Sequence, residues 1–415
     1  MEPAQIVGRV FFPLDEELAL QPGSLTPRQQ EHLAHLATWM PFERAAQMLD
    51  RLLGVQVSEP TVRRATLRAG ALYEARQTAQ SQQTSPAEHN TMSAEHQVIS
   101  IDGAYVPLVK GQWAEVRTVA IGEIATENSA GDQGEVHTCH LSYFSRMTDA
   151  ETFGDVAQVE MHRRTVSQAT AVCAVTDGAD WIQGFIDLHR PDAVRILDFP
   201  HAAEHLHLLI EALQNAGVSL PVRALERSLH ILKHRGPGLL LRWCDRLPAA
   251  VQELEAVQQQ LSYFRKRVTL LQYPQYQRQG WPIGSGMVES ANKLVVQARL
   301  KGAGMHWEPA HVNPMLALRT AVCSERWDEA WQEIIHQQRS HRHMQRRQVA
   351  LTRFRSHLTS LMRLLLRFYP SPPKVETPSA RLAHPAATLP GSSRPSSFHP
   401  WKRTPACRPK LVAKK

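Results

Sequence analysis

The sequence predicts an α/β fold: a sheet core carrying an all-helical insertion, preceded by an all-helical N-terminal domain. Three observations carry this. Near residue 96 the texture changes from helical periodicity to short β-rich runs. Two later segments, AVCAVTDGADWIQGFIDLH and AVRILDFPHAAEHLHLLIEAL, repeat a strand–turn–helix grammar. Between residues 207 and 280 no run reads as a strand.

The N-terminal domain is expected over residues 1–77. Ser24 and Thr26-Pro27 offer an N-cap and a first-turn proline, and Leu33, Leu36 and Met40 follow at helical spacing. In PFERAAQMLDRLLGVQVSEPTVRRATLRAG one helix ends at Gly54. A polar turn closes at Ser58-Glu59-Pro60, and a second helix opens with Thr61, Val62, Arg63 and Arg64. This is a helix-turn-helix pattern, with Arg63 and Arg64 as candidate DNA contacts. A packed or dimerising αα-hairpin has the same pattern, so both readings stay open. Residues 78–95 are polar and read as a linker.

The core is expected over residues 96–330. HQVISIDGAYVPLV reads as a strand ending at Asp102, and VRTVAIGEI as a second strand. Ala171 to Val175 reads as a buried strand with a turn at Asp177-Gly178. The next strand runs to Leu197 and its helix starts near His201. Some antiparallel pairing is expected at the start of the sheet. The helical insertion occupies about 207–280, broken at Gly236 to Gly238, and a glycine-rich turn then leads into a helix carrying Glu289. Residues 331–368 read as a basic helical segment, and 369–415, rich in Pro, Ser and basic residues, as a disordered tail.

Composition narrows the class. The chain has 415 residues, room for one large core and one or two satellite segments. No apolar run approaches the roughly 18 residues of a membrane span, and no basic-then-apolar leader opens the sequence. Five scattered cysteines, never in a CxxC pair, argue against a disulfide framework or zinc ribbon and for a reducing cytoplasm. After Glu333 there are 17 Lys and Arg against one acid, Glu376, so the last fifth carries +16 and the rest −8 of the net +8. Such an arm suits a polyanionic partner, because phosphate contacts release counterions; a solvated tail is the plain alternative.

Three acids stand where a strand or turn brings a carboxylate to a sheet edge: Asp102, Asp177 and Glu289. A carboxylate at the end of a buried strand is costly unless paired, and a divalent cation is a common partner. Converging carboxylates can hold two Mg²⁺ or Mn²⁺ ions for in-line displacement at phosphorus. An isolated Asp-Gly is more often a turn than a ligand; two of them, each capping an apolar strand, shift the balance. Asp198 and His201 form a DxxH unit that fits a metal ligand pair, a phosphate contact, or a helix N-cap with a neighbouring histidine. No HExxH, paired CxxC or GxxxxGK[ST] occurs, which removes support for zinc proteases, zinc fingers and P-loop NTPases.

The runs ISIDGAYV, VTDGADWI, LDFPHAAEHL and IGSGMVESANKLVVQARLKGAGMHW resemble the DDE transposases of the ISKra group of bacterial insertion sequences, relatives of the Mutator-like transposases. FPLDEELALQPGSLTPRQ and MPFERAAQML resemble that family's N-terminal region, and the likeness covers roughly residues 8–330. The resemblance implies an RNase H-like core, a mixed five-stranded sheet interrupted by a helical insertion before the last catalytic acid. It makes Asp102 the first acid, Asp177 the second and Glu289 the third, together holding two Mg²⁺ or Mn²⁺ ions, with Asp198 and His201 auxiliary. A competing assignment makes Asp198 the second ligand. Arg63, Arg64, Lys293, Arg299 and Lys301 become candidate DNA contacts.

The implied activity is cleavage at element ends and strand transfer into target DNA. Terminal inverted repeats and target DNA would be the partners, with homo-oligomerisation during synapsis and a cytoplasmic, nucleoid-associated location. An RNase H-like nuclease without strand transfer and an inactive DNA-binding remnant are the alternatives. Two departures stand out: longer family members carry a cysteine-bearing segment ahead of FPLDEEL that is not seen here, and the tail beyond about Trp331 matches nothing in the family. Both raise the expectation of a truncated or decayed copy.

Overall fold

The computed structural model describes residues 25–82, 95–124 and 136–368. The tail expected from residue 369 and most of the linker expected at 78–95 lie outside these. The chain divides into two units, Met1–Val349 and Ala350–Lys415.

In the first unit, five strands build one mixed sheet: β1 (His96–Pro107), β2 (Trp113–Ile124), β3 (Thr138–Arg146), β4 (Ala171–Thr176) and β5 (Val194–Leu197). Their order across the sheet is β3-β2-β1-β4-β5. The first three pair antiparallel as a meander, and β4 and β5 join β1 in parallel. The fold is α/β, as the sequence predicts.

Side chains alternate across the sheet, and both faces are covered. Ile99, Ile101, Val119, Val172 and Ala174 pack beneath α4 (Ala150–Arg163) and α5 (Asp180–His189), through Phe153, Ile182 and Phe185. Val98, Val106, Val116, Cys173 and Val175 pack on the other side against residues of the helices from Phe199 onward.

β1 does not end at Asp102. It runs on to Pro107, with Asp102 opposite Thr118 and Gly103 opposite Arg117 on β2. What ends early is its pairing with β4, which spans only His96↔Ala171 to Ile99↔Ala174. The Asp102-Gly103 pair is therefore not a turn. At Gly103 the Glu115 carboxylate of β2 comes within 2.3 Å of where a Cβ would stand, so a larger residue would have to displace that side chain.

Ahead of the sheet lie α1 (Pro27–Trp39), α2 (Phe42–Leu53) and α3 (Glu59–Ser81). Thr26 caps α1 in a capping box with Gln29. Gly54 ends α2 in the left-handed region, as expected. α3 begins two residues earlier than the sequence reading and continues through Ser81, into the polar stretch read as linker. It lies against the later helix α12 (Pro309–Cys323), where Gly70 approaches so closely that a Cβ would sit 2.2 Å from the Pro314 carbonyl oxygen.

After β5 come α6 (Phe199–Asn215), α7 (Ala224–Arg235), α8 (Pro237–Cys244), α9 (Glu255–Lys266) and α10 (Tyr273–Arg278), with short turns between them. No strand occurs here among the described residues, in line with an all-helical insertion. α11 (Gly286–Ala291) runs directly into a π-helical stretch, Asn292–Gln297. The last helix, α13, spans Trp327–Phe368. Among the described residues no helix is long and apolar enough to cross a membrane.

Candidate active site

Asp102 projects to the same face as Val98 and Ser100, beyond the point where β4 stops pairing with β1. Its Oδ1 accepts the Gly103 amide at 2.7 Å, and its Oδ2 accepts Asn292 Nδ2 at 2.8 Å. Burial pushes the Asp102 carboxyl up, and the nearby charges of Asp177 and Glu115 push the same way against those two hydrogen bonds. A half-buried acid near two others favours the arrival of a cation or proton.

Asp177 follows β4 immediately. Its Oδ1 accepts the Ala179 amide at 2.8 Å, fixing the turn into α5. Gly178 takes φ +76°, and a Cβ there would meet Arg267 at 2.8 Å and Leu197 at 2.9 Å, so the turn requires glycine. Arg267, just past α9, donates to the Gly178 carbonyl at 3.0 Å. Its guanidinium lies 4.2 Å from the Tyr263 ring centre, and His205 stacks on Tyr263 at 3.5 Å. The insertion thus supplies a cation and an aromatic ring to the Asp177 turn.

Glu289 sits in α11, which packs on β1 and β2. Its carboxylate is exposed and pairs with Lys293 one turn on, at 2.5 Å. The structure therefore brings Asp102 and Asp177 together but leaves the Glu289 carboxylate outside their group. Among the described residues no three His, Cys, Asp or Glu side chains are placed to hold a metal ion.

Asp198 is buried with both oxygens occupied. Oδ2 caps α6 at the His201 amide, 3.2 Å, and Oδ1 accepts the Ser285 amide at 2.6 Å. Burial raises its carboxyl, opposed by those amides. Phe199 N–H donates to the Ile283 carbonyl at 2.8 Å beside it. Asp198 thus ties the β5–α6 turn to the loop before Glu289: of the readings open from the sequence, this is the N-cap. His201 lies 3.6 Å from Glu204 and edge-on to His205.

Of the expected DNA contacts, Arg63 and Arg64 face solvent in the first turns of α3, Arg63 3.8 Å from Glu59 and Arg64 donating to the Pro60 carbonyl. Lys301 lies over Trp113 at 5.6 Å. Arg299 departs from expectation. It is only 2% exposed, stacks between Phe42 and Trp307, and donates to the Ala37 carbonyl at 2.8 Å. It locks α1 onto the core and offers no surface charge to a phosphate.

No protein-family model matches the chain, and no curated protein matches it.

The site also holds residues that were not singled out from the sequence. Asn292 is 3% exposed, and while its Nδ2 holds Asp102 its Oδ1 is buried without a partner. The signal was its place three residues after Glu289, on the same side of a helix. Tyr263 and Arg267 are an aromatic–cation pair at helical spacing in SYFRKR, a pattern common enough on solvated helices to pass unnoticed. Glu115, across the hairpin from Asp102, is paired with Arg117 at 2.6 Å.

The acids whose charges reach Asp102 are Asp177 and Glu115, both oxygen donors. That set fits Mg²⁺ or Mn²⁺ and not a thiolate- or imidazole-seeking metal.

Proposed function

We propose that the chain is a metal-dependent DNA transposase with an RNase H-like core, cleaving DNA at element ends and joining the freed 3′-hydroxyl to target DNA. The observation that carries this reading is the juxtaposition of Asp102 on the central strand with Asp177 at the end of its parallel neighbour, with the Glu289 helix fastened over them through Asn292. Supporting it are the strand order, with three antiparallel strands followed by two parallel ones, and the helical insertion before the third acid.

Asp102 and Asp177 would hold the ions, with Glu289 joining them after leaving Lys293. Bound Mg²⁺ supplies an activated water or 3′-hydroxyl and stabilises the leaving oxygen. Asn292 keeps the Asp102 carboxylate oriented. Asp198 fixes the loop before α11 and so the height at which Glu289 stands. Lys293, released from Glu289, and Lys301 would take phosphates. The N-terminal helices would read the terminal repeats through Arg63 and Arg64, and the basic C-terminal arm adds sequence-independent affinity.

The test is Mg²⁺-dependent cleavage of a labelled element-end duplex, with a 3′-hydroxyl donor end supplied to detect joining. The wild type cleaves and joins, while Asp102→Asn, Asp177→Ala and Glu289→Gln bind the duplex without cutting it. Cleavage without joined products replaces the reading with a nuclease. Binding without cleavage by the wild type replaces it with an inactive remnant.

A further inference from the structure

The distal part of α13 carries an interaction surface that the catalytic reading does not use. Met344, Leu351, Leu358 and Leu365 recur every seventh residue, and Phe354 and Leu361 stand three after Leu351 and Leu358. This a/d spacing is the pattern that seats one helix against another by knobs into holes. Leu351, Phe354, Leu358, Leu361 and Leu365 are each 45–64% exposed.

The charge pattern says what covers the seam. From Ile334 to Phe368 the helix has no acidic residue. Its arginines at 339, 346, 353 and 363 fall on the outward heptad positions, away from the seam. The positions flanking the seam are Gln348, Arg355 and Met362 on one side and Ala350, His357 and Leu364 on the other. A like helix therefore meets little like charge at the contact. A helix lying on an anionic membrane would line both borders of its apolar face with cations, whereas here Arg355 and His357 share those borders with Gln348, Ala350, Met362 and Leu364.

We propose that this seam pairs with the same seam of a second copy of the chain, forming a two-stranded coiled coil over about residues 344–365. Arg347 occupies a d position and thins the seam at its start. The effective contact is thus short, about two heptads from Leu351, and the dimer is concentration-dependent rather than permanent. The inference stands whether or not the chain cuts DNA.

The experiment is sedimentation velocity of the full chain across a micromolar concentration series, for wild type, Leu358→Asp and Val349→Asp. Val349 is as exposed, at 51%, but occupies an outward position, so its variant controls for a new charge on the helix. The expected result is a monomer–dimer equilibrium in wild type and Val349→Asp, weakened at least tenfold in Leu358→Asp, with circular dichroism unchanged. A monomer at all concentrations, or a dimer indifferent to Leu358→Asp, overturns the proposal. So does an apolar face that binds anionic phosphatidylserine vesicles in a Leu358-dependent way while the free chain stays monomeric.

Discussion

Asn292 donates to the Asp102 carboxylate at 2.8 Å across 190 residues of sequence, and its own carbonyl oxygen is left buried without a partner. A buried polar atom with nothing to bond is costly, of order 1–3 kcal/mol. The other end of the same amide holds a carboxylate whose proton affinity is already raised by burial and neighbouring charge. The π-helical turn that begins at this residue is the local device that holds it there, and such turns concentrate at functional sites.

Asn292→Ala is therefore expected to weaken Mn²⁺ binding, read by electron paramagnetic resonance of the free ion, by roughly 10–100-fold. Unaltered affinity would mean that Asn292 only fills the core.

Asp198→Ala separates a clamp from a ligand. With both carboxylate oxygens engaged by backbone amides, its loss costs about 2–4 kcal/mol and lowers the thermal midpoint by several degrees. The number of Mn²⁺ ions bound stays the same. Lost ions at unchanged stability would instead make Asp198 the second ligand.

His189 gives the fold an acid sensitivity. Burial lowers its imidazole to about 4, opposed by a hydrogen bond to the Gly154 carbonyl at 3.0 Å. The folded value lies below the unfolded one near 6.5. The stability tied to the neutral ring is thus complete above pH 6.5 and is lost as pH falls towards 4, roughly 3 kcal/mol in all. Urea unfolding between pH 7 and 4 should show that slope in wild type and a shallower one in His189→Phe; parallel slopes would clear His189 of the effect.

Much of the fold was legible because its elements are locally consistent. The apolar runs at Val98–Ile101 and Val172–Val175 have no helical period, and Gly54 and Asp198 are helix-end residues that behave as such. β3 was not singled out, since TCHLSYFSR mixes polar and apolar residues at an edge. The end of β1 was misplaced because Asp-Gly ordinarily marks a turn, whereas here Gly103 makes room for Glu115 inside a strand. At the site, the acids announced themselves by type and setting. Arg299 did not, since a guanidinium that donates to one helix carbonyl between two aromatic rings has the same sequence signature as one on a surface. That Asn292 reaches Asp102 depends on a contact made from far along the chain, which no local pattern records.

The distance along the chain between Asp102 and the residue that holds it also sets a clock. A ribosome has built β1 and β5 long before it reaches Ser285 and Asn292, so Asp102 and Asp198 wait through the synthesis of the whole insertion without those partners. Every N-terminal fragment that ends between Asp198 and Ser285 carries both carboxylates and neither of these distant partners. On the function proposed above, an unfinished chain is a poor cutter until translation has passed Asn292.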